Sequence, residues 1–123
     1  MFTNMKPLQV VTSNNYNSLA YSINNKWISF TFNDYENSPY CDGERLLRLD
    51  CSYADLHIRL KVVKSSYNPN AFNILARKYN EYIKDMGIKT IEDCDGKIYI
   101  TREELNKLVA IYKIQGVRED HPC

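Results

Sequence analysis

Histidine, glycine and proline are scarce in this chain: 2 His, 4 Gly and 4 Pro stand among 123 residues. So little glycine and proline excludes a collagen-like repeat or a Pro/Gly-rich linker, and no glycine-rich loop that could cradle a phosphate is present. With only His57 and His121 available, a Cys–His nucleophilic pair would have to use one of these two. The four cysteines, Cys41, Cys51, Cys94 and Cys123, contain no Cys-x-x-Cys pair, so no zinc knuckle anchors a site. Their spacing matches no common disulfide module, and they are expected to be mostly reduced. Charge of one sign is lacking too. Sixteen basic and fifteen acidic side chains leave +1, which supplies no global field toward nucleic acid or anionic lipid and excludes a strongly acidic DNA mimic. Residues 1–15 hold no apolar run long enough for a signal peptide or a membrane span, and no Asn begins an Asn-x-Ser/Thr sequon. The expected location is the cytosol of the cell that makes the protein, with no membrane partner and no cofactor.

Against these gaps stands an ordinary globular composition, 44% hydrophobic and 25% charged, which fits one domain over residues 1–123. Tyrosine is abundant, at 10 residues beside a single Trp. The usage of Asn, Lys, Ile and Tyr is that of an AT-rich reading frame, and small frames of that kind are common in phages and mobile elements.

Hydrophobic period changes near Asn68-Pro69. Upstream it is the two-residue period of half-buried strands. Leu8–Thr12 reads as a strand, and Leu19–Ile23 and Trp27–Phe32 form a hairpin around Asn24-Asn25, with Ile28, Phe30 and Phe32 inward and Trp27 partly exposed. Residues 33–44 read as a long polar loop. Leu46–Asp50 and Leu56–Val63 read as an antiparallel pair around a turn at 52–55. Downstream, Phe72, Leu75, Tyr79, Tyr82, Ile83 and Met86 recur at helical spacing from an Asn N-cap to Gly87, with Arg77 and Glu81 one turn apart on the wet side. Short strands at 88–91 and 97–100 flank a hairpin tip at 92–96. Thr101 with Glu104 is a capping box opening a helix that carries Leu105, Leu108, Val109 and Tyr112 to Gly116, and 117–123 reads as a frayed tail. The fold class is α+β: an antiparallel sheet from the strand-rich segment 1–64, packed on one face by the two amphipathic helices of a helix–hairpin–helix segment, 68–116.

No constellation spells a reaction. Asp93 and Asp95 fall where a calcium loop has its third and fifth ligands, but Ile91 and Arg102 occupy its first and twelfth positions, so an Asp-Gly hairpin explains the segment and no metal is expected. General acid–base chemistry could draw on the loop carboxylates, or on Asp50 and Asp55, yet solvated loop charges account for them. Two surfaces remain. Asp34, Tyr35, Glu36, Tyr40, Asp42 and Glu44 form an acidic, aromatic loop suited to a basic partner. His57, Arg59 and Lys61, with Lys64 beyond, line one face of a strand at roughly 6.5–7 Å intervals, close to the phosphate spacing of an extended single strand; the competing reading is a solvated sheet face. Tyr16, Tyr35, Tyr40, Tyr53 and Tyr67 are expected in turns or loops, and Tyr79, Tyr82 and Tyr112 in the core. The expectation is a small, non-catalytic binding protein that covers a surface of a larger host protein or nucleoprotein, as a phage inhibitor of the anti-CRISPR kind would. The alternatives are a single-stranded nucleic-acid-binding module using the basic strand and an enzyme with an unrecognised site; a homodimer is also open.

Overall fold

Residues 6–13, 16–23, 26–34, 38–56, 62–66, 69–117 and 119–120 are described in this computed structural model, with 53–56, 62–66, 69–73 and 119–120 described by backbone alone. The chain opens on β1 (Gln9–Thr12), which runs antiparallel to β2 (Tyr16–Ile23). β2 pairs along its whole length with β3 (Lys26–Asn33), placing Leu19 opposite Phe30 and Tyr21 opposite Ile28. The polar segment 33–44, expected as a loop, contains a small hairpin of β4 (Tyr40–Cys41) and β5 (Glu44–Arg45).

The longest strand departs from expectation. β6 (Leu47–Leu56) runs without interruption through 52–55, where the sequence suggests a turn. Its ladder with β3 extends from Asn33↔Arg48 to Lys26↔Asp55, so an eight-residue partner keeps Ser52 and Asp55 extended against their turn preference, and Tyr53 between them favours a strand by itself. The chain then returns as β7 (Val62–Ser66), antiparallel to β6 with an irregularity beside Leu56. The helix α1 (Pro69–Asp85) follows, then β8 (Ile91–Glu92), β9 (Ile98–Ile100), α2 (Arg102–Ile114) and β10 (Glu119–Asp120). The strand expected at 88–91 is thus shifted, with only Ile91 and Glu92 paired. Two residues of the expected tail pair in parallel with β1. Tyr16 and Tyr53, expected in turns, lie in strands.

The sheet order is β10-β1-β2-β3-β6-β9-β8, with β7 also on β6. Past β3, one edge of β6 is shared: Leu47 and Arg48 pair with β9, and Tyr53 to Leu56 pair with β7.

Both helices pack on one face. Leu19, Tyr21, Phe30, Phe32 and Ile100 from the sheet and Tyr79, Ile83, Leu105, Leu108 and Tyr112 from the helices are all buried in one cluster. Asn17 is buried with them and accepts a 2.6 Å hydrogen bond at Oδ1 from Arg102 Nη1, tying the start of α2 to β2. The opposite face bears the hydroxyl cluster Ser18, Ser29 and Thr31, with Ser18 Oγ and Ser29 Oγ 2.7 Å apart. Trp27 is partly exposed on that face, as expected.

Between the layers, Tyr79 lies on Phe30 with centroids 4.0 Å apart and planes 3° from parallel. Tyr21 meets both rings edge-on. The three phenols form a chain inside the core: Tyr21 Oη is 3.2 Å from Tyr79 Oη and 3.0 Å from Tyr112 Oη, and Tyr112 points its hydroxyl at Met86 Sδ, 3.9 Å away. Polar atoms this deep are tolerated because they satisfy one another.

Two outcomes follow from this chain. Tyr21→Phe removes a buried hydroxyl bonded to both Tyr79 and Tyr112 and should cost about 1–3 kcal/mol; urea titration at pH 7 measures it, and a loss below about 0.3 kcal/mol would contradict a hydroxyl chain that holds the layers together. Burial raises all three phenols well above the ordinary tyrosine value. The unfolded chain therefore ionises near pH 10 while the folded one does not, so stability is whole below that pH and falls above it by about 1.4 kcal/mol per pH unit for each tyrosine. Cys51, its thiol pushed up to about 12 by burial, adds a loss of the same sign above pH 9. The urea midpoint should stay level from about pH 7 to 9 and drop steeply above 10; a level profile to about pH 11 would contradict it.

Candidate functional site

The acidic, aromatic surface read from the sequence is organised by a residue the sequence reading passed over. Arg45, on β5, directs its Nε to the Asp34 carboxylate and donates from Nη1 to Tyr40 Oη at 3.2 Å. Its guanidinium carbon also lies 5.8 Å from the centroid of the Tyr40 ring, within cation–π range. The hydrogen bond to Tyr40 and the Asp34 carboxylate raise the Arg45 pKa. Tyr40 is thereby oriented while 66% exposed, an unusual state for so large a ring.

The hairpin that carries Tyr40 turns on Asp42 and Gly43, whose φ angles of 52° and 83° are both positive. That is the signature of a type I′ turn, which favours Asp-Gly. Asp42 and Glu44 stand exposed at its tip. Leu46 N–H donates to the Pro39 carbonyl at 3.0 Å and closes the base. Of the six residues expected on this surface, the structure brings Asp34 and Tyr40 together through Arg45, puts Asp42 in the turn and pairs Glu44 with Cys41, on the side of the ribbon opposite the Tyr40–Arg45 pair; Tyr35 and Glu36 lie outside the described residues. Asp42-Gly43, flanked by a possible pair at 41 and 44, was the signal that could have revealed the hairpin.

Of the alternative basic surface, His57, Arg59 and Lys61 lie outside the described residues, and Lys64 stands on β7 opposite Asp55. Asp50, considered for acid–base work, accepts from Asn33 Nδ2 at 3.1 Å and lies 3.3 Å from Arg48 Nε. Asp93 Oδ1 accepts from the N–H groups of Asp95 and Lys97, both at 2.9 Å, so that carboxylate shapes the hairpin tip. Cys41, Cys51 and Cys94 are free thiols. Among the described residues no helix is long and apolar enough to cross a membrane.

A second feature has no sequence signature, because three separate segments build it. The end of α1, the 88–91 segment and the first turns of α2 enclose an open groove of about 780 Å³. α1 closes with Ile88 N–H on the Ile83 carbonyl and Gly87 N–H on the Lys84 carbonyl, a Schellman motif that needs the positive φ of Gly87, 90°. Thr90 Oγ1 then donates to the buried Asn80 Oδ1 at 2.5 Å. Thr101 caps α2 as expected, accepting from Glu104 N at 3.2 Å. The Glu104 side chain reaches across the groove wall instead of back to its own cap: Oε1 accepts from Lys89 N–H at 2.9 Å and Oε2 from Lys107 Nζ at 2.6 Å. The Lys107 ammonium, then the Lys89 amide, hold the Glu104 pKa below the usual carboxylate value.

No protein family, curated protein or solved structure matches this chain.

Replacing Gly43 by Ala puts a Cβ on a residue at φ 83° and should cost about 1–2 kcal/mol. The loss should fall on the hairpin alone. Hydrogen exchange at the Leu46 amide is expected to quicken by roughly 5–30-fold, the equivalent of that energy, with core amides unaltered; unchanged Leu46 exchange would count against a hairpin held by its turn.

Proposed function

We propose that this is a small non-catalytic binding protein that covers a basic surface on a larger protein or nucleoprotein, with the Tyr40–Arg45 hairpin as its recognition element. The observation that supports this most is Tyr40, two-thirds exposed yet held in place by Arg45. An oriented aromatic ring binds with little loss of rotamer freedom, and such rings dominate interface energetics. Asp42 and Glu44, exposed at the tip of the same hairpin, suit lysine and arginine, and carboxylates of this kind steer encounter as well as fix orientation. In biological terms the reading is of an inhibitor carried by a phage or mobile element, occluding the nucleic-acid groove of a host defence complex as anti-CRISPR proteins do.

Affinity capture from the native host tests it. Immobilised wild-type protein should retain a partner with a basic surface, and Tyr40→Ala should weaken that complex by about 30-fold, the effect of losing about 2 kcal/mol at a central anchor. Asp42→Asn with Glu44→Gln should lower affinity and flatten its salt dependence. A partner held equally by all three forms, or tight salt-dependent binding of single-stranded oligonucleotide by the protein alone, would overturn the proposal.

A further inference from the structure

The hairpin and the groove lie at the same end of the sheet. Arg45 and Leu46 lead directly into Leu47, which pairs with Ile100, and the next residue, Thr101, lines the groove. Lys89 sits at this end too, its N–H bonded to Glu104 in the first turn of α2. Their chemistries are complementary. In the hairpin, Asp34 is matched by Arg45, which leaves Asp42 and Glu44 as exposed carboxylates. In the groove, Lys84, Lys89 and Lys107 exceed Glu103 and Glu104 by one positive charge; Glu104 is matched by Lys107, and Lys84 and Lys89 are exposed. Each side also offers an uncovered apolar group, Tyr40 on the hairpin and Ile91, 39% exposed, on the groove.

We infer that the groove receives the hairpin of a second copy of this chain. Two complementary patches at one end of a molecule can be exchanged reciprocally about a two-fold axis, so that each copy's hairpin occupies the other's groove in a closed dimer. Asp42 and Glu44 of one copy then face Lys84 and Lys89 of the other, and Tyr40 covers Ile91. Because the same hairpin serves the proposed recognition of a host partner, dimer and partner complex exclude each other, and the dimer holds the recognition element in reserve.

Sedimentation equilibrium of the full chain tests this with two variants. In the hairpin, Asp42→Asn with Glu44→Lys reverses the charge while keeping at 42 a residue that tolerates positive φ. In the groove, Lys84→Glu with Lys89→Gln reverses the charge without setting a carboxylate beside Glu104. Wild type is expected to dimerise, each variant alone to dimerise at least about tenfold more weakly, and an equimolar mixture of the two to recover association, since both contacts are complementary again. Circular dichroism checks that each variant is folded; should either fail, Lys84→Gln alone serves for the groove and Glu44→Gln alone for the hairpin, each expected to weaken the dimer. A wild type that stays monomeric to about 1 mM, association indifferent to both variants, or a mixture that recovers nothing would each overturn the inference. The groove variant also separates this inference from the proposed function: it should still capture the host partner, and if it does while wild type forms no dimer, only the dimer inference falls.

Discussion

A phenol lying flat on a phenyl ring joins the two layers of this protein. Tyr79 of α1 covers Phe30 in the middle of β3, and the same tyrosine extends a hydrogen-bonded chain through Tyr21 to Tyr112 of α2. Stacking adds about 0.5–1.5 kcal/mol beyond the area buried. The hydroxyl chain adds direction, since apolar packing alone would let the helices slide while three mutually satisfied phenols fit in one arrangement. The seat of α1 in turn fixes its end at Gly87, the path of 88–91 against Asn80, and so one wall of the groove.

β6 plays the corresponding part within the sheet. Ten residues long, it pairs with β3 on one side and divides the other between β9 and β7. The division brings the C-terminal helix–hairpin–helix segment into the same sheet as the N-terminal strands. It also sets the hairpin of residues 40–45 beside the start of α2, because Leu47 meets Ile100 just where the hairpin ends.

Where the chain's periodicity is sustained, it reads correctly: the β2–β3 hairpin from its alternation, both helices from their 3.6-residue spacing, Thr101 from its capping position. The misreadings have a common physical origin. Ser52 and Asp55 favour turns while Tyr53 between them favours a strand, and what decides for the extended form is the partner ladder of β3, information that is non-local. The two-residue strands at 40–41, 44–45 and 119–120 are too short to carry a period at all. Tyr40, Asp42 and Glu44 could be singled out by type, but Arg45, which orients Tyr40, is recognisable only once the hairpin brings it next to Asp34 and Tyr40. The groove was invisible because Lys84, Lys89 and Lys107 come from three elements whose meeting depends on the fold.

The division of β6 has one more effect, on how the sheet ends. The terminal strands β8 and β10 are two residues long, and such stubs give an incoming chain almost nothing to template upon. The five residues of β7, bonded to β6 on one side only among the described residues, are the longer opening, and Lys64 stands at their centre. A charge there disfavours the stacking of copies strand upon strand, the route by which open sheets grow into aggregates.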